Sequence, residues 1–223
     1  MHIAKKAVHH DNIWKSKHNS SENLNEANES VISLLPECKT VVDIGCGKGN
    51  LAIALKSMGK DVCGLDISAH ALSEAKGKGI EIQNQDLDSP LKLKDSSFDC
   101  AISCQVLQHI YRPSDLIREM SRVSKKYIII NVPNIAYWRY RLRLLHGKLP
   151  FIGKPEEIPI RYFTLETLKK TIDDCDLKID TIAFTGSAPL KRFFPGPIRT
   201  RIHIRDRFPE MFATGFTLRC MKK

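Results

Sequence analysis

A chain of 223 residues, 42% hydrophobic and 27% charged, has the balance of one sizeable globular core with room for an appended segment. Its longest apolar runs, such as YIIINV at 127–132, are strand-sized, and the leading MHIAKKAVHH lacks the apolar stretch of a secretory signal, so no membrane span and a cytoplasmic location are expected. The formal charge of +10 is uneven: between Ser187 and Lys223 nine Lys and Arg face only Asp206 and Glu210, which makes an acidic ligand, an acidic protein or nucleic acid a partner class to weigh.

In chain order, Val31, Ile32, Leu34 and Leu35 form one apolar helical face closed by Pro36. Strand-like TVVDIG (40–45) follows, then a helix through 50–58 ended by Gly59, a strand at 61–66 and a helix through 69–76 ended by Gly77. The rhythm continues with strands at 80–86 and 98–104, a helix opening at Pro113, and the strand 127–132. Apolar, β-rich runs separated by single helix lengths describe a parallel sheet covered on both faces. Beyond Pro133, the stretch NIAYWRYRLRLLHGKLP sits where another helix would cross the sheet, and Thr164 caps a helix through 165–174. Two late strands, 176–184 and 215–221, are joined without a helix and pair antiparallel. The fold class is therefore α/β, doubly wound, with a mostly parallel seven-stranded sheet and a terminal antiparallel strand. Seven cysteines (38, 46, 63, 100, 104, 175, 220) include no CxxC pair and read as reduced, buried small hydrophobes. His9, His10, His18 and His70 have no metal-ligand spacing, so no metal is expected.

The chemistry concentrates in VVDIGCGKGNL. Gly45, Gly47 and Gly49 lie between the first strand and the first helix, where a parallel sheet binds nucleotides. The spacing fits neither G-x-G-x-x-G nor a phosphate loop, since Gly49 comes one residue early and Lys48 is followed by glycine. Asp43 at the strand end would repel a pyrophosphate and attract a cation. S-adenosylmethionine, with sulfonium and ammonium groups and no phosphate, meets that requirement. Asp66 ends the second strand, where a carboxylate accepts ribose hydroxyls, and Asp86 ends the third, within reach of an adenine amino group.

With DIGCGKG, GLD, NQDL and FDCAISCQVLQHI in that order, residues 40–133 resemble the class I S-adenosylmethionine-dependent methyltransferases, a Rossmann-like family. The resemblance implies a cofactor site of Asp43, Gly45, Cys46, Gly47, Gly49, Asp66, Ile67, Asp86 and Leu87, with Cys104 and Gln105 beside the methyl group. A narrower resemblance adds NVPNIAYWRYRLRLLHGKLP and RYFTLETL and is similar to the methionine biosynthesis protein W family, which implies association with a homoserine acyltransferase. Lys48 and Arg161 depart from that family's usual residues.

Methyl transfer asks mainly for positioning, so few catalytic residues are needed; His109 is the candidate base and Gln105 the candidate orienter. The expected organisation is a helical lead-in and lid at 1–39 that includes Trp14, a cofactor-binding core at 40–133, and an acceptor or partner segment with sheet-completing strands at 134–223. In the last of these, Trp138, Leu142 and Leu145 share a helical stripe beside Arg139 and Arg143, expected to wall the acceptor pocket and to meet an acidic substrate or protein. The acceptor is expected to be a small molecule. A regulatory partner role and RNA methylation through Arg199, Arg201, Arg205 and Arg207 are the alternatives, the latter weakened by the lack of an aromatic-interleaved pattern.

Overall fold

The computed structural model describes residues 7, 8, 11, 24–150, 159–186 and 204–223. Helix α1 (Glu26–Ser33) leads into β1 (Thr40–Ile44), α2 (Asn50–Ser57), β2 (Asp61–Asp66), α3 (Ala69–Gly77) and β3 (Glu81–Asn84). Then come β4 (Phe98–Cys104), a 3-10 turn (Leu107–His109), α4 (Pro113–Val123), β5 (Ser124–Pro133) and α5 (Trp138–Leu145). Helix α6 (Leu165–Asp173), β6 (Leu177–Thr185), the short helices α7 (Ile204–Arg207) and α8 (Pro209–Phe212), and β7 (Gly215–Lys222) complete the order.

The seven strands form one sheet in the order β3-β2-β1-β4-β5-β7-β6, with β7 antiparallel to both β5 and β6. Strand residues split by alternation between two apolar layers. Val41, Cys100, Ile102 and Ile129 join Val31 of α1 and Leu51 and Leu55 of α2 on one face. Val42, Ile44, Ala101, Ile128 and Ile130 join Ile117 and Met120 of α4 and Leu168 of α6 on the other. A period of two with both sets buried is the pattern of a sheet sandwiched between helices.

Register places the site. Asp43 lies opposite Gly64 and Ile102, and Cys104 opposite Asn131, so the carboxyl ends of β1, β2, β4 and β5 form one edge. In an open parallel sheet that edge is where ligands bind.

Three features differ from the sequence expectation. Strand β3 ends at Asn84, so Asp86 stands in the following turn, two residues beyond the strand. Cys38 and Cys104 are only half-buried, while the other five cysteines are buried. Helix α5 does not cross the sheet, and none of its residues is buried. The cause is visible in its sequence: Arg139, Arg141 and Arg143, at about 100° per residue, put charge on two sides of the helix and leave no apolar face wide enough to pack. Among the described residues no helix is long and apolar enough to cross a membrane, and no group of three or more His, Cys, Asp or Glu is placed to hold a metal.

Candidate functional site

The loop after β1 is stitched to β2 from both ends. Gly45 and Cys46 donate their N–H groups to the Leu65 carbonyl at 2.7 and 3.0 Å, and the Gly47 N–H donates to Asp66 Oδ2 at 2.9 Å. The other oxygen, Asp66 Oδ1, accepts from the Ser68 N–H at 2.9 Å. Asp66 is therefore the clamp that sets the loop's shape as well as a candidate ribose acceptor. Lys48 is held against α3 by Glu74 at 3.2 Å.

Gly45, Gly47 and Gly49 all have positive φ (81°, 51° and 78°). At two of them the neighbours are also decisive. A Cβ on Gly45 would stand 2.3 Å from Val106 Cγ2, and one on Gly49 would stand 3.0 Å from the Ala75 Cβ. These glycines admit the turn after β4 and helix α3 to the loop. Gly45→Ala should lower stability by about 1–3 kcal/mol through overpacking plus about 1 kcal/mol for the left-handed backbone, read as a fall in the urea midpoint.

Asp43 is 2% exposed, and its Oδ2 has no hydrogen-bond partner. Burial, reinforced by the nearby negative charge of Asp66, raises its pKa to about 7. A buried carboxylate with an unmade bond is costly in isolation and is the natural counter-charge for a cation. The thiols of Cys46 and Cys104 are pushed far up by burial and by the Asp43 charge, so both stay protonated and neither competes as a nucleophile.

After β4, Gln105 takes a left-handed backbone (φ 59°), an uncommon conformation for a residue other than glycine. Its side-chain Nε2 donates to Asn131 Oδ1 at 2.6 Å, and Asn131 Nδ2 donates to Thr217 Oγ1 at 2.8 Å. Thr217 in turn shares a 2.6 Å bond with Ser30 on α1, and the Cys104 thiol donates to Asn28 Oδ1 at 3.4 Å. The lead-in helix is thus bonded to Cys104, the last residue of β4, and through Thr217 and Asn131 to Gln105 after it. His109 lies half-buried in the 3-10 turn, four residues beyond Gln105.

Beyond β2, Ile67 and Leu87 are buried and Asp86 is half-buried, its Oδ1 accepting the Asp88 N–H at 3.2 Å. Asn84 Nδ2 fixes the Ile67 carbonyl at 3.0 Å. Asp11, in the leading segment, accepts from Ser68 Oγ and from the His70 N–H, at the rim beside Ile67. Sequence reasoning missed Asp11, Asn28, Ser30 and Val106 as site neighbours. Trp14, Arg199 and Arg201 lie outside the described residues.

Comparison with known proteins decides the family. The model of the family described as methionine biosynthesis protein MetW matches residues 25–186. The chain belongs to the MetW family. A bifunctional methionine biosynthesis protein MetXA/MetW from Rhodopirellula baltica is 30% identical over 138 residues, covering 57% of this chain and 22% of that protein. A ubiquinone biosynthesis O-methyltransferase from Nitrosomonas europaea is 26% identical over 130 residues, covering 53% of this chain and 54% of that protein. This MetW-family chain thus spans about a fifth and about half, respectively, of those two relatives. Among solved structures, an S-adenosylmethionine-dependent methyltransferase from Archaeoglobus fulgidus superposes with a TM-score of 0.68 at 20% identity, covering 94% of this chain and 98% of that one. A magnesium protoporphyrin IX methyltransferase from Synechocystis with bound S-adenosylhomocysteine gives 0.67 at 18% identity over 99% of both chains. At these identities the structural likeness establishes the methyltransferase fold of this MetW-family member, and that fold alone.

Proposed function

We propose that this chain binds S-adenosylmethionine at the carboxyl edge of its sheet and transfers the methyl group to a small-molecule acceptor. The observation that carries the reading is Asp43: a buried carboxylate with an unpaired oxygen, set behind a glycine loop in a fold shared with methyltransferases. Gly45, Cys46, Gly47 and Gly49 would line the methionyl end, Asp66 and Ile67 the ribose, Asp86 and Leu87 the adenine, and Cys104 and Gln105 the region of the methyl group. When bound, the cofactor would supply an electrophilic methyl carbon on a sulfonium, whose leaving sulfur would retain the electron pair of the broken bond.

The protein's own contribution is then charge and position. Asp43 neutralises the bound cation, Asp66 holds the loop and orients the sugar, and the Asn131–Thr217 chain fixes which end of the Gln105 amide faces the acceptor. The O-methyltransferase names among the relatives favour an acceptor hydroxyl, whose proton needs a base, and His109 is the group proposed for it. Screening purified protein for S-adenosylhomocysteine formation against hydroxylated metabolites tests the activity. His109→Asn should then lower turnover by roughly 10²–10⁴ while leaving cofactor affinity unchanged. Turnover equal to wild type would remove His109 from the reaction.

A second reading has one observation in its favour. The Rhodopirellula relative bears the names MetXA and MetW on a single chain, so a cofactor-binding partner of a homoserine acyltransferase is the competing role. Adding that enzyme to the screen separates the two: a cofactor-dependent change in acyltransferase rate, without S-adenosylhomocysteine release, supports the regulatory role.

A further inference from the structure

Seven of the eleven large apolar side chains exposed among the described residues are Tyr111 or fall within 142–162, at the carboxyl edge of the sheet. Four are leucines of α5 and the turn after it: Leu142, Leu144, Leu145 and Leu149 are exposed by 45%, 51%, 81% and 64%. A lone exposed leucine is ordinary; four within eight residues, on a helix that buries nothing, are not. The chain returns beside this helix, where the Ile135 N–H donates to the Phe163 carbonyl, and this brings exposed Ile160 and Tyr162 to the same edge.

The charge around these leucines has one sign. Residues 134–150 contain Arg139, Arg141, Arg143 and Lys148 and no acid. None of the ion pairs among the described residues includes the three arginines. Arg141 and Arg143 instead donate to the carbonyls of Ala136 and Leu149, and Arg139 lies 5.5 Å over the Trp138 ring. On α4, by contrast, Arg118 and Arg122 are both paired with carboxylates. Trp138, Leu142 and Leu145 share one stripe, flanked by Arg139 and Arg143 on one side and Arg141 on the other.

The geometry points to α5 as a docking ridge for an anionic lipid surface. A projecting helix with leucine tips and arginines on both flanks matches a layer in which negative headgroups overlie hydrocarbon: the leucines enter, and the long basic side chains reach the headgroups. A second copy of this chain would bring two such basic helices together against like charge, and an acidic protein would need a groove complementary to a convex ridge. The exposed Tyr111 and Tyr162 at the same edge are of a type that settles at the boundary of a bilayer.

Flotation of the full chain with vesicles of phosphatidylcholine, with and without phosphatidylglycerol, tests it. Wild type should float with the anionic vesicles at least tenfold more than with the neutral ones and detach as salt rises, while Leu142→Glu/Leu145→Glu should lose at least tenfold of that binding. These positions are exposed, so an unchanged melting temperature shows that the loss is not unfolding. Arg139→Gln/Arg143→Gln should erase the preference for phosphatidylglycerol. No flotation, or equal flotation of the leucine variant, overturns the proposal. So does a concentration-dependent dimer that Leu142→Glu/Leu145→Glu dissolves, or saturable binding of an acidic peptide that excludes the vesicles.

Discussion

Asp43→Asn is expected to make the ligand-free protein more stable at alkaline pH, not less. The Asp43 carboxyl ionises near 3.8 in the unfolded chain and near 7 when folded, so between those values the folded state holds a proton that the unfolded state has lost. Stability from this group is complete below about 3.8 and is lost as pH rises through about 7. Above that point the buried charge costs on the order of 4 kcal/mol, from about three pH units at 1.36 kcal/mol each. Replacing the carboxylate by an amide recovers part of this, since an amide in the same place still needs partners. At about pH 8 the variant should melt about 5 °C or more above wild type, and the gap should close towards about pH 4. A variant that melts below wild type at alkaline pH would mean that Asp43 is paired there and is not held ready for a cation.

Asp66→Ala should do the reverse. Two backbone donors, the N–H groups of Gly47 and Ser68, lose their acceptor in a buried site. Hydrogen bonds to a charged group contribute about 1.5–3 kcal/mol each, so a loss of about 3 kcal/mol in a urea titration is expected. Cofactor affinity should fall by at least tenfold, from the lost ribose acceptor and from a loop no longer tied to β2. Asp66→Asn is expected to rescue little, because its NH2 group must face one of the two backbone donors. Stability within about 0.5 kcal/mol of wild type would contradict the clamp.

Much of this was legible in the sequence. The glycine loop between β1 and α2 and the acids at 43 and 66 are local signals, written in residues that sit together. So were the strands, because burial on both faces leaves runs such as YIIINV with no polar interruption. The reach of β5 back to Ser124 was not, since Lys125 and Lys126 look like a turn yet lie exposed at the start of the longest strand. Nor was the reason for Gly45, whose contact Val106 is remote in sequence. The chain from Gln105, just after β4, through Asn131 of β5 and Thr217 of β7 to Ser30 of α1 spans separations of up to 187 residues, and no periodicity can encode it. Helix α5 was legible as a helix but not as a surface ridge. Its aromatic and leucine content suggests packing, and only the observed exposure shows that the arginines prevail.

Calorimetric titration of S-adenosylmethionine into wild type and Asp43→Asn, at about pH 6 and about pH 8, is the direct test of Asp43 as the cofactor's counter-charge. A buried counter-charge for the cofactor predicts binding by wild type that tightens as Asp43 ionises, by roughly tenfold between the two conditions, and binding by the variant that is weaker at both and indifferent to pH. Binding of equal strength by wild type and variant, or no binding by wild type at either pH, would contradict it.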